Sequence, residues 1–318
     1  MTDTRPSSVK EASIPPCQLL IVTGKGGVGK TAVATALAAQ SARNGKKTLL
    51  TIYEREDVVH PLLGTKVSYE LRKSRPNLWV SRLDSRLSMK EYIHRTVPLH
   101  LLYDWIIDGK VLTQFTDAAP GFDELMCLGK LYDLCEGSDG KAHFDTIIFD
   151  APATGHCALM LRTPKVTAET VRTGPLFQNA MRVHNILADH ERTCVLVVAL
   201  AEEMAIQEGL ELQEYVRETL QFNTGPMIVN RLRQPRFSAH EIEQLQQADT
   251  SNEEVRVIIE EAAAHHALTS LQRSYLDNLR AKCPNVLKTA QVIQPTFQTG
   301  NLINAMAASL RPALSEGR

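Results

Sequence analysis

The segment Gly24-Lys25-Gly26-Gly27-Val28-Gly29-Lys30-Thr31 constrains this chain more than any other part of it. It satisfies GxxxxGK[ST] and lies between an apolar run, Gln18 to Val22, and a stretch with small apolar residues at helical spacing, residues 31–43. Strand, glycine-rich turn and helix in that order are the context the pattern requires. Glycines let the backbone curl until successive amide N–H groups converge, and the following helix offers its positive end to the same point. A phosphate chain is the expected occupant. In that reading Lys30 faces the β- and γ-phosphates and the Thr31 hydroxyl ligates Mg²⁺, so ATP and Mg²⁺ are the expected cofactors. Gly24, Lys25, Gly26, Gly27, Val28, Gly29, Lys30, Thr31 and Ala32 form the expected binding segment.

The rest of the chain agrees with that start. Asn44-Gly45 is a helix stop, and Lys47 to Tyr53 reads as the next buried strand, which completes a βαβ unit of a parallel sheet. Thr146–Phe149, Cys194–Val198 and Met227–Val229 are further buried-strand runs, the last ending at Asn230, and Leu78–Val80 reads as an edge strand. Residues 86–136 turn helical, with Leu125, Leu128, Leu131 and Tyr132 on one stripe. Residues 165–191 also read as helical, interrupted at Gly174-Pro175, and 238–280 are helix-prone. The expected fold is α/β, a P-loop NTPase with a mostly parallel sheet flanked by helices and an inserted helical subdomain. Residues 1–16 and 311–318 read as tails around an ATPase domain at 17–310, with helical elaborations near 86–136 and 165–191.

Composition excludes several other classes. The 318 residues are 43% apolar and 22% charged, with a formal net charge of −1. Such a chain carries no global field to grip nucleic acid or anionic lipid. Its longest uninterrupted apolar run, Cys194 to Ala201, is far short of the ~20 residues a membrane-spanning helix needs. Cysteines at 17, 127, 135, 157, 194 and 283 include no CxxC pair, which points to reduced thiols in a cytoplasmic protein without zinc. They read as small apolar fillers spread over distinct elements.

Lys25 adds to the general pattern. KGGVGKT resembles the deviant phosphate loop of the MinD, ParA, nitrogenase iron protein and ArsA/Get3 group, where the first lysine reaches the partner's phosphates across a nucleotide-sandwich dimer. Three segments resemble the ArsA/Get3 branch. Asp150-Ala151-Pro152-Ala153-Thr154-Gly155-His156 is similar to its DTAPTGH switch II, which implies Asp150 beside Thr31 at the metal. Ala151-Pro152 stands where Thr-Ala is usual and Ala153 where proline is usual. His156 is either a hydrogen-bonded structural residue or a sensor. Pro120-Gly121-Phe122-Asp123-Glu124 is similar to the family's PGxDE segment. Asn230 falls where the family has an asparagine reading the adenine edge, though a strand-end turn residue is the alternative, and Gln294-Pro295-Thr296 resembles the loop closing over the base.

Aligned without gaps on the family's switch I, Lys47–Gly64 puts Glu54 in place of the aspartate that handles the attacking water, with Arg55 replacing a proline. Glu56 and Asp57 stay as alternative partners for that water. The resemblance implies an ATP-hydrolysing switch, a homodimer in its ATP state, working with a protein client or a membrane-pump partner. Lys25, Lys30, Glu54 and Asp150 are its expected catalytic residues. For a client, Met89, Met126, Met160 and Met181 would line a groove or simply fill the core. The alternative is a spatial regulator like MinD or ParA; residues 301–318, with two arginines and one glutamate, are too weakly basic for a lipid-anchoring helix. If Glu54 handles the water, Glu54→Gln lowers ATP turnover by about 10²–10⁴ with ATP affinity barely changed, while Glu56→Gln and Asp57→Asn keep most of the rate. Steady-state phosphate release measures all three, and a native rate in Glu54→Gln refutes the assignment.

Overall fold

Seven parallel strands form the centre of the chain because their sequences are apolar on both faces. In β1 (Leu19–Gly24), Leu19 and Ile21 point to one layer of side chains and Leu20 and Val22 to the other, and all six residues are buried. The computed structural model describes residues 14–53, 59–96, 121–137, 143–248, 252–282, 286–290 and 299–314. After β1 come α1 (Lys30–Arg43), β2 (Thr48–Ile52), α2 (His60–Leu63), β3 (Arg72–Arg75), β4 (Leu78–Arg82) and α3 (Ser85–Thr96). The middle of the chain holds α4 (Phe122–Glu136), β5 (Thr146–Ala153), α5 (Thr154–Val171), α6 (Gly174–Ala188) and β6 (Thr193–Leu200). Then follow α7 (Glu203–Glu214), which runs into a π turn (Tyr215–Thr219), β7 (Met227–Leu232), α8 (Ala239–Gln246), α9 (Glu253–Lys282), β8 (Val286–Ala290) and α10 (Thr299–Leu314).

The strand order is β3-β4-β2-β5-β1-β6-β7-β8, and only β3 runs antiparallel to its neighbour. One face is covered by α1 and by Met306, Ala307 and Leu310 of α10. The other carries α4, α5 and α6, with Leu276 and Leu279 of α9. A smaller apolar cluster joins Met89 of α3, Leu125 and Met126 of α4, Ala168 of α5 and Ala180 of α6. This is the helical elaboration, built directly onto the sheet's covering layer. The register aligns the carboxyl ends of the strands: Gly24 lies beside both Ala153 and Val198, and Ile52 beside Asp150. The chain therefore leaves β1, β2 and β5 at one edge, where ligand sites of such sheets lie.

Several boundaries differ from those the sequence suggests. β4 is interior, because β3, with the sequence Arg-Lys-Ser-Arg, covers it. Hydropathy cannot find such an edge strand, since charge there discourages pairing with another chain. Asn230 lies inside β7 rather than at its end. The helical stretch expected from 165 begins at Thr154, and its break falls at Arg172-Thr173, with Gly174-Pro175 opening α6 instead of interrupting it. Ile14 is buried, so packed chain begins before the expected boundary at 17, and α10 runs past 310 to Leu314. Cys127 and Cys135 share α4. Met89, Met126 and Met160 are at most 5% exposed and fill cores, so they line no groove.

Leu37 on α1 is fully buried against the sheet. Leu37→Ala costs about 2–5 kcal/mol, from lost transfer energy and the cavity left behind. Arg256→Ala, which removes an exposed pair with Glu253 one turn away, costs less than about 0.5 kcal/mol. Urea denaturation with an unchanged m-value checks both.

Candidate nucleotide site

The loop between β1 and α1 keeps its shape through glycines that no other residue replaces without strain. Gly27 has φ +83° and Gly29 φ +89°, both left-handed. At Gly24 a Cβ would stand 2.1 Å from the Val198 carbonyl oxygen, so this glycine lets β1 leave the sheet pressed against β6. Gly29 is the N-cap of α1 and has no side chain to cap it, and the first turn of that helix carries no acidic residue. The orphan N–H groups of the turn are left for an external acceptor. Lys30 in the same turn is 8% exposed, and no carboxylate pairs with it among the described residues. A buried, uncompensated ammonium is costly, so a lysine held this way fits an anionic ligand.

β5 supplies the acidic half. Asp150 is 3% exposed, and its Oδ2 accepts a 2.6 Å hydrogen bond from the Thr31 hydroxyl. Two hard oxygen donors side by side suit Mg²⁺, which takes one or two side-chain oxygens and completes its shell with water and phosphate. Among the described residues no three His, Cys, Asp or Glu side chains gather into a metal cage. The Thr23 hydroxyl donates to the Pro152 carbonyl at 2.8 Å, which pins the start of the second switch to β1. Beyond it, His156 Nε2 meets Glu124 Oε1 at 2.8 Å, and the ring stands edge-on to Tyr53 at 5.3 Å between centroids. His156 thus joins the first turn of α5 to the first turn of α4.

Two residues occupy places different from those the sequence implied. The Lys25 ammonium pairs within its own chain, 2.6 Å from Glu208 of α7, with both side chains about a third exposed. Asn230 turns its amide inward: Nδ2 donates to the Val28 carbonyl at 2.9 Å, and a Cβ on Gly29 would sit 2.5 Å from that nitrogen. Asn230 braces the loop. Neither Glu208 nor the Glu124–His156 contact was visible in the sequence, because each joins elements more than thirty residues apart. Glu54, Arg55, Glu56, Asp57, Pro120, Cys283 and Pro295 with its flanking Gln294 and Thr296 lie outside the described residues. The five described cysteines are buried. Burial pushes the Cys157 thiol up to about 11 and the Cys135 thiol to about 12, and raises Cys127 as well, which leaves these three inert at neutral pH.

A parallel sheet with a glycine cradle, a buried lysine and a Thr–Asp pair at its carboxyl edge defines a P-loop nucleotide-binding protein. The family model for anion-transporting ATPases matches residues 17–175, half of the chain. ATPase BagA of Mycobacterium tuberculosis is 29% identical over 230 residues, covering 67% of this chain and 65% of the relative. ATPase GET3 of Candida glabrata is 27% identical over 253 residues, covering 67% and 71%. An arsenical pump-driving ATPase of Acidiphilium multivorum is 27% identical over 223 residues, covering 65% and 38%. The chain thus spans just under two thirds of the length of the mycobacterial relative and well under half of the pump-driving one. This chain belongs to the ArsA, or anion-transporting ATPase, family.

Because Asn230 holds the loop carbonyl, Asn230→Ala weakens ATP and GTP binding by the same factor, about tenfold for one buried hydrogen bond of ordinary strength. Competition with a fluorescent ADP analogue measures both affinities. A loss confined to ATP would make Asn230 a base reader instead.

Proposed function

We propose that the chain is a Mg²⁺-dependent ATP hydrolase that acts as a dimeric switch of the ArsA/Get3 type, coupling nucleotide state to a client or a membrane-pump partner. The observation that carries this reading is the Thr31–Asp150 contact of 2.6 Å beside the buried Lys30. Mg²⁺, when bound, offsets charge on the β- and γ-phosphates. The chain's own residues do the rest. Lys30 and the loop N–H groups bind and orient the phosphates, and Thr31 and Asp150 supply oxygens to the metal. Asp150 leads within six residues to His156, whose contact with Glu124 offers the helical elaboration a link to events at the switch.

Lys25 is the residue that would make hydrolysis depend on a second copy. Its pair with Glu208 is partly solvated, so it holds Lys25 in its own subunit by no more than about 1 kcal/mol. Release of that pair frees the ammonium for a partner's phosphates, where it stabilises developing negative charge. The spatial-regulator reading has less support, since Ile303, Met306, Ala307 and Leu310 of the last helix are buried in the core and unavailable to lipid. Among the described residues no helix is long and apolar enough to cross a membrane.

Three variants test the proposal. Lys30→Ala loses ATP affinity or turnover by at least about 10²-fold, while Lys25→Ala binds ATP normally and does not turn it over. Glu208→Gln shifts the ATP-state monomer–dimer equilibrium toward dimer by up to about fivefold, the equivalent of that ~1 kcal/mol. Calorimetry, phosphate release and light scattering with ATP and Mg²⁺ give the readouts. Unchanged affinity and turnover in Lys30→Ala refutes the hydrolase, and a strict monomer at high concentration refutes the dimeric switch.

A further inference from the structure

Beyond the carboxyl end of β7 lies a cleft of about 940 Å³, walled by residues 232–239, the C-terminal half of α9 and Ser309 of α10. None of residues 24–31 lines it. Its charge is one-sided: Arg233, Arg236, Arg273 and Arg280 face the cleft against a single carboxylate, Asp277. Among the described residues Asp277 pairs with Arg280, loosely, at 3.7 Å. Arg233, Arg236 and Arg273 have no ion-pair partner among the described residues. In a chain of net charge −1, four guanidinium groups around one concavity are a local field that the overall composition does not explain.

The wall is also pre-formed. The Arg233 backbone N–H donates to Gln272 Oε1 at 2.9 Å, and His265 Nε2 donates to the Gln234 carbonyl at 3.0 Å. His266 Nδ1 donates to the Phe237 carbonyl at 3.1 Å. These bonds strap the loop after β7 to α9, so the two walls that carry the arginines are held together. Leu232 and Leu276 are buried at the base, and Phe237 is half-buried beside them. Volume, apolar floor and convergent donors are those of a small-molecule pocket.

We propose that this cleft is a second anion site, which takes a small organic molecule carrying two or more phosphate charges. The guanidinium fork pairs bidentately with phosphate oxygens, and several forks facing one space suit a ligand whose charge is concentrated in adjacent groups. The apolar floor takes the ligand's uncharged body. An acidic protein segment is less well matched, because the cleft is the size of one small molecule.

Inorganic pyrophosphate is the probe, titrated by calorimetry into the full chain carrying Lys30→Ala, so that binding at the phosphate loop does not mask the cleft. Binding persists in that background. Adding Arg233→Gln and Arg273→Gln weakens it at least about tenfold, the loss expected for two charge-assisted hydrogen bonds, with an unchanged unfolding midpoint as the check on the fold. If the glutamine pair fails to fold, Arg233→Lys with Arg273→Lys carries the test: charge is kept, the fork is lost, and affinity falls about threefold or more. The proposal is overturned if Lys30→Ala does not bind pyrophosphate, if the arginine substitutions leave affinity unchanged, or if ADP competes with the probe and so makes the cleft part of the nucleotide site.

Discussion

The arrangement of the site depends on a backbone turn pressed between two strands. At Gly24 the chain leaves β1 so close to β6 that a single methyl group would strike the Val198 carbonyl, and by Gly29 it has passed through two left-handed residues into a helix. Such a turn exposes N–H groups and would be unstable as an isolated peptide. Here the Asn230 amide on β7 holds the Val28 carbonyl, and the Thr31–Asp150 bond closes the other side onto β5. Three strands, β1, β5 and β7, spread along more than two hundred residues of chain, thus fix one short loop. A buried lysine at its end is costly without a ligand of opposite charge.

Interactions of modest strength surround this rigid centre. Lys25–Glu208 is a partly solvated ion pair, and in His156–Glu124 the imidazole is partly exposed while the carboxylate is mostly covered. Each stabilises the fold little, and each can be exchanged for another partner at small cost. The loop is thus braced while the contacts at its rim are exchangeable, so the rim can rearrange without disturbing the loop.

The charge distribution follows the same division. The sheet is apolar on both faces and has no use for ionised groups, so charge is pushed to strand ends, edges and outer helices. At β3 it protects an edge. At the cleft beyond β7 the four arginines have no comparable structural task, since the loop there is held by Gln272, His265 and His266 and not by ion pairs.

The sequence by itself determined the parallel sheet, the glycine-rich turn after β1 and the aspartate that follows the apolar run of β5, although Asp150 lies within that strand and not at its end. Local patterns encode these: apolar runs of strand length, glycines at fixed offsets, and a carboxylate directly after a buried run. It also placed α1, α4 and the long helical cover, because a helix shows its buried face as a period in the chain. Only the tertiary structure decided what the side chains at the sheet's edge do. Asn230 looked like a base reader or a strand-end residue, and it braces the loop because β7 lies two strands from β1. Lys25 looked free to reach another copy, and it rests on Glu208 because α7 packs over the sheet beside the loop. β3 was invisible because its charges serve the edge and not the core. The cleft arginines were unremarkable in the chain, forty residues apart, until the loop after β7 was strapped to α9. Local chemistry fixes what an element is; long-range packing fixes which residues meet, and that meeting has no local signature.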